Sequence, residues 1–306
     1  MKSNLYFIFL FSFAFLFMQC SEDKLMEAVT PKSHVENFRV SSDNLYRGVY
    51  LDSLKYIVGN EQLENNMLAW CQYNNFKTLT CYDLYTLLAY SSGYSKMAAF
   101  IRKARTQYGI ETITACMASA GAFTGLVNNY NASRTDPIEK FNYSNLELEW
   151  WNKASTFKNY IKQLQGIKAW GDSQNPRIPT EEYMGWFKNP NNQDSTQAAG
   201  LVENSDRIMV HAYQTIPSLS YMKDRLKWIG KAAQAQNKVM PIILLFSAEQ
   251  AYSFNYFTLN SFDQTFNMIL NQYDLSSFPG KENLEIIGYQ IFAQSDARQA
   301  QPMTVQ

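Results

Sequence analysis

From Asn44 to Phe292 the chain alternates between short strand-like runs and longer stretches whose apolar residues recur at helical spacing. Few folds accept that order. Strands joined through helices pair in parallel, and the crossovers cover the sheet with helices. The strand-like runs are Asn44 to Leu51, Phe76 to Tyr82, Thr112 to Met117, a fourth centred on Asn145 to Trp150, Ile178 to Phe187, Arg207 to Tyr213, Lys238 to Phe246 and Leu284 to Phe292. Helical spacing fills Ser53 to Asn74, Lys96 to Tyr108, Phe123 to Asn131, Thr156 to Ile167, Ser195 to Glu203, Leu219 to Gln236 and Phe262 to Tyr273. Lys238 to Phe246 (KVMPIILLF) is apolar almost throughout, the mark of a strand buried on both faces.

Eight strands with seven helices between them predict a single-domain α/β fold, a (β/α)8 TIM barrel closed with a short or missing last helix. The alternative, an open doubly wound sheet, normally begins with a glycine-rich phosphate loop. No G-x-G-x-x-G or P-loop spacing occurs in the chain. Ahead of the barrel, Lys2 and the apolar run Leu5 to Met18, with its six phenylalanines, read as a secretory signal that ends at Cys20. Residues 1–19 are expected to be removed, 20–40 to form a polar tether and 41–306 to form the barrel. Removing residues 1–19 takes one of the 27 basic residues and none of the 27 acidic ones. A near-neutral chain without a basic run has no electrostatic footprint for nucleic acid. Cys71, Cys81 and Cys116 read as buried small hydrophobes, with Cys71–Cys81 a candidate disulfide. Two histidines, His34 and His211, make no zinc cluster, and neither a metal nor a cofactor is implied.

The fourth strand carries the chemistry. In Phe141 to Trp151 the polar Asn145, Glu147 and Glu149 alternate with Leu146, Leu148 and Trp150, which places both carboxylates on one face. Facing a barrel interior, they would be desolvated and mutually repelled, which raises a carboxyl pKa toward acid-catalyst values. On a half-exposed antiparallel strand the same acids would stand in water. In a barrel, function gathers at the C-terminal ends of the strands. Those ends hold Asp52, Tyr82 and Asp83, Ser119, Glu149, Trp186, Tyr213 and Gln214, Ser247 and Glu249, then Gln294 and Asp296. They include no lysine or arginine and are rich in acids and aromatics, which disfavours phosphate handling and favours a carbohydrate cleft. His211 reads as a hydrogen-bonded core or barrel-lining residue, Glu181-Glu182 as solvated loop charge or strand, and Trp150-Trp151 as a pair that could stack sugars at the rim, with Trp150 on the apolar face read as packing.

Phe141-Asn142-x-x-Asn145-x-Glu147-x-Glu149 resembles, at the same spacing, the F-D-x-x-D-x-D-x-E signature on the fourth strand of family 18 glycoside hydrolases, the chitinases and endo-β-N-acetylglucosaminidases. The resemblance implies that Glu149 protonates the glycosidic oxygen. Glu147 would hold the substrate's N-acetyl group, which attacks the anomeric carbon in place of an enzyme nucleophile. Met209 to Gln214 stands where the family has M-x-Y-D, so Tyr213 would support the reacting acetamide. Met117 to Gly121 stands where it has S-x-G-G. Gly288 to Phe292 stands where the last strand carries a sugar-stacking tryptophan. Departures are visible at Asn142 and Asn145, which replace aspartates, at Glu147, one methylene longer than the family's aspartate, at Gln214 for aspartate and at Phe292 for tryptophan. Asn145, Trp186, Gln214, Glu249, Phe292 and Tyr82 are the expected substrate contacts.

Cys20, followed by Ser21-Glu22-Asp23, resembles the lipid-bearing cysteine of Bacteroidetes-type lipoproteins, which implies an outer-membrane anchor and surface display. The expectation is an envelope-anchored glycoside hydrolase acting on N-acetylglucosamine-containing glycans. A glycan-capturing lipoprotein that has lost turnover and an envelope scaffold remain open as alternatives.

Overall fold

The computed structural model describes residues 45–187 and 193–303. The expected signal, the tether and Cys20 lie outside them. The eight strands are β1 (Tyr46–Leu51), β2 (Thr78–Cys81), β3 (Thr112–Met117), β4 (Tyr143–Leu146), β5 (Thr180–Met184), β6 (Arg207–His211), β7 (Met240–Ser247) and β8 (Leu284–Phe292). They form a closed barrel in chain order, every pair parallel, with β8 returning to β1. A helical segment follows each strand, and the last of them, Gln294–Ala300, is short.

The alternation of strand side chains explains the layers. Outward residues such as Val49, Leu79, Ile113, Leu146, Ile208, Leu244 and Ile291 are fully buried beneath the helices. Helix ends follow local chemistry. Asn60 and Thr156 accept from backbone N–H groups of the helices they precede, Ser261 and Gln264 form a reciprocal capping box, and Gly109 closes Ser91–Tyr108 in the left-handed region. Gly288 has φ +152, and a Cβ there would lie 2.0 Å from the Tyr46 carbonyl oxygen. That close approach, opposite the register shift between Ile242 and Ile243, lets β8 reach β1.

Four expectations change. The helical stretch Ser53 to Asn74 is two helices, Leu54–Ile57 and Glu61–Tyr73, broken where Gly59 takes φ +89. β4 pairs only as far as Leu146, so Glu147 and Glu149 lie past its end. Glu181 and Glu182 are fully buried members of β5, because the strand is walled by neighbours on both sides. Cys71 and Cys81 are buried and unpaired, which removes the candidate disulfide.

Candidate active site

β4 places the central acids. The extended chain continues one rung beyond the strand, where the Glu147 N–H donates to the Met117 carbonyl at 3.2 Å. Asn145, Glu147 and Glu149 therefore rise in steps from the barrel interior to its mouth. At Glu149 the backbone turns into Trp150–Asn152, with Trp150 buried against Phe157 and Tyr160. Trp151 instead faces the mouth and meets the Tyr183 ring edge-on at 5.1 Å.

Two cavities open at this end of the barrel and share Glu147. The first, about 380 Å³, lies over β4 to β8 and includes Glu149, Trp186, Tyr213, Glu249 and Phe292 in its wall. The second, about 310 Å³, lies over β2 and β3 and includes Tyr82, Tyr85, Cys116 and Ser119. Glu147 is thus the floor where a cleft across the mouth narrows. Its Oε2 accepts from Cys116 Sγ at 3.2 Å. Burial, opposed by that hydrogen bond and reinforced by the charge of Glu149, pushes its carboxyl up to about 7. Glu149 accepts from Asn152 Nδ2 at 2.6 Å, and Glu249 accepts from Ser247 Oγ at 2.8 Å.

Asn145 is fully buried one layer down. Its carbonyl oxygen accepts from Tyr50 OH at 3.2 Å and lies 3.4 Å from Cys116 Sγ, whose single proton goes to Glu147, while its amide donates to Glu181 at 3.4 Å. Glu181 in turn pairs with Arg207 at 2.5 Å, and that guanidinium lies over the rings of Tyr143 and Tyr46. Asn145 therefore supports the floor and does not line either cavity. Its amide separates Glu147 from the ion pair beneath.

The aromatic wall is built on β5, β6 and β8. Tyr213 packs nearly parallel to Phe292 at 6.1 Å and against Tyr252 at 5.2 Å. Burial, then Tyr183 and the nearby carboxylates, keep its phenol well above the ordinary value, so it stays a neutral hydrogen-bonding group. The Tyr213 N–H donates to His211 Nδ1 at 3.4 Å. Burial, and then the Arg225 cation, depress the His211 imidazole to about 3, which keeps it neutral at physiological pH and unsuited to act as a base there.

The first cavity gathers Glu147, Glu149, Tyr213, Trp186, Glu249 and Phe292 from the expected set, and the second adds Tyr82. Gln214 stands apart, accepting from Ser218 Oγ at 2.9 Å outside both cavities. Tyr50, Cys116 and Tyr183 were not anticipated. Strand parity held a clue to two of them, since Tyr183 shares the inward face of Glu181 and Cys116 that of Thr114. Trp151 and Tyr252 depend on loop turns that no periodicity marks. Among the described residues no group of three or more His, Cys, Asp or Glu side chains is placed to hold a metal ion.

No family model matches the sequence, and no curated protein matches it. Similar solved structures share the barrel. The GH39 enzyme from Xanthomonas axonopodis pv. citri superposes with a TM-score of 0.50 at 12% identity, over 82% of this chain and 58% of that one. The endo-beta-1,4-mannanase from Thermotoga petrophila gives 0.47 at 10% identity, over 81% of this chain and 67% of that one. QR15, an aldolase, gives 0.46 at 5% identity, over 84% and 93%. Glycoside hydrolases and an aldolase are thus among the similar structures, while the TIM-barrel class of this chain rests on its own closed ring of eight parallel strands, each followed by a helical segment. At such identities the likeness is one of fold.

Proposed function

We propose that this chain is a glycoside hydrolase of the cell envelope that cleaves N-acetylglucosamine-containing glycans with the help of the substrate's own acetamide. The observation that carries the reading is Glu147, a carboxyl held at about 7 by burial and by Glu149, at the point where two cavities meet. Glu149, nearer the mouth, protonates the glycosidic oxygen as the bond to the anomeric carbon breaks. The Glu149 carboxylate then takes a proton from the water whose oxygen opens the cyclised intermediate, which restores the acid, while the ionised form of Glu147 accepts from the acetamide N–H. That contact stabilises the positive charge of the cyclised intermediate. Tyr213 supports the acetamide, while Trp186 and Phe292 offer faces to sugar rings. A lipid on Cys20 would hold the barrel at the outer membrane.

The test is incubation of the protein lacking residues 1–20 with chitooligosaccharides and high-mannose N-glycans, read by mass spectrometry for cleavage and calorimetry for binding. Cleavage lost in Glu149→Gln with retained binding is the expected result, and an unchanged rate removes Glu149 from the mechanism. One observation favours a second reading, glycan capture without turnover. Each carboxylate of the pair has its own partner, Cys116 for Glu147 and Asn152 for Glu149, and among the described residues no hydrogen bond joins the two. Binding without cleavage by the parent protein selects that reading.

A further inference from the structure

Behind the wall of the first cavity lies a cation that the chemistry at Glu147 and Glu149 does not use. Arg225, on the helix Leu219–Ala235, is 2% exposed, and among the described residues no carboxylate pairs with it. Its Nη1 and Nη2 donors go to backbone instead, and its buried Nε has no hydrogen-bond partner among the described residues. Nη1 donates to the carbonyls of Gly185 at 2.6 Å and His211 at 2.7 Å, and Nη2 to that of Tyr221 at 2.6 Å. The first two carbonyls stand at the C-terminal ends of β5 and β6, so one guanidinium ties two strand ends to a helix. The same guanidinium lies 4.2 Å from the centre of the Trp186 ring and 4.9 Å from that of Tyr221.

Trp186 is boxed in by these groups although it is 41% exposed. Its ring meets Tyr221 at 4.8 Å and 82°, and His211 at 5.4 Å and 89°. An exposed tryptophan ordinarily samples several rotamers. Here a cation occupies one side and two rings flank it, leaving the rest of the indole to the cavity and to solvent. Gly185 makes the approach possible, since a Cβ there would lie 2.4 Å from the Trp151 ring and 2.9 Å from His211 Nε2. Burying a cation without a carboxylate costs free energy that an apolar side chain of similar length would not. What the guanidinium adds is a planar fork that bonds several carbonyls and stacks on a ring at once.

We propose that Arg225 is a positioning residue that fixes Trp186 as a pre-oriented stacking platform for a pyranose ring entering the cavity beside β5 and β6. The platform role rests on the glycan reading above; the positioning role does not. A pre-set ring lowers the ordering cost of binding, so the effect falls on affinity or KM and not on kcat.

The experiment separates the two roles. Protein containing 5-fluorotryptophan is examined by fluorine NMR, with Trp186→Phe assigning the Trp186 resonance. Calorimetry with the glycan panel is run on Arg225→Met, Arg225→Lys, Trp186→Ala and the double variant Arg225→Met/Trp186→Ala. Circular dichroism checks the fold, and Arg225→Lys carries the measurement where Arg225→Met does not fold. The expected result is a Trp186 line that shifts and broadens in the Arg225 variants. Affinity is expected to fall about tenfold in Arg225→Met and in Trp186→Ala, with no further loss in the double variant. An unchanged Trp186 line overturns the positioning role. A changed line with unchanged affinity in every variant overturns the platform role. If the parent protein binds no glycan, the platform role falls together with the glycan reading, and the fluorine line alone decides whether Arg225 fixes Trp186.

Discussion

Glu182 sits on β5 with its side chain outward, between the barrel wall and the helix Phe157–Ser173. The Tyr160 hydroxyl donates to one of its oxygens, and the other has no hydrogen-bond partner. Burial pushes this carboxyl up to about 8 from an ordinary 4.5. The folded state therefore binds the proton more tightly than the unfolded one. Stability falls as pH rises through the window from about 4.5 to about 8 and loses of order 4 kcal/mol across it. Glu182→Gln, which mimics the protonated acid, is expected to flatten much of that fall, measured as the urea midpoint at pH 5 and pH 8. Glu147 titrates in part of the same window, so the comparison is made against the parent and not against a flat line. Cys116 acts on Glu147 in the opposite sense to burial, because its thiol favours the charged carboxylate. Cys116→Ala is expected to move the Glu147 titration above about 7, read from the pH–rate profile or from a carboxyl carbon resonance. A downward movement would show that the thiol is not the donor.

Strand by strand, the sequence was most readable where one pattern controlled both faces. β3, β6, β7 and β8 stood out as apolar or alternating runs, and the folded elements match them within two residues. β5 was harder, because a buried Glu181-Glu182 pair resembles solvated charge until its partners are known. Those partners, Arg207 and Tyr160, are 26 and 22 residues away, and no local pattern announces them. β4 was read correctly in parity but not in length, since β3 ends at Met117, opposite Leu146. The Arg207–Glu181 pair also makes β5 and β6 depend on one another. Arg207→Met leaves a buried carboxylate without a counter-ion and is expected to cost about 3–5 kcal/mol in chemical denaturation. The double variant Arg207→Met/Glu181→Gln should recover much of that loss. A loss in the double variant equal to the sum of the Arg207→Met and Glu181→Gln losses would mean that the pair is not coupled.

For the molecule as a whole, strand count and crossover order sufficed to predict a closed barrel, because parallel strands with covering helices have few ways to close. The cleft was less legible, since half of its aromatic wall comes from loop positions whose direction only the assembled barrel sets. At this scale the proposed lipid anchor on Cys20 is also testable. Cys20→Ala is expected to move the protein from the membrane fraction to the soluble fraction and to abolish labelling by radioactive palmitate. Retention in the membrane fraction without label would point to another tether.

The seam between β8 and β1 has a further consequence. Tyr46 donates to Gln290, Asp52 accepts from Ser295, and the Trp70 indole donates to the Gln301 carbonyl. β1 thus waits for β8, and closing a loop of that length is slow. Until Leu284–Phe292 emerges, β1 keeps a bare edge. Ring closure therefore comes only after β8 is available to pair with β1.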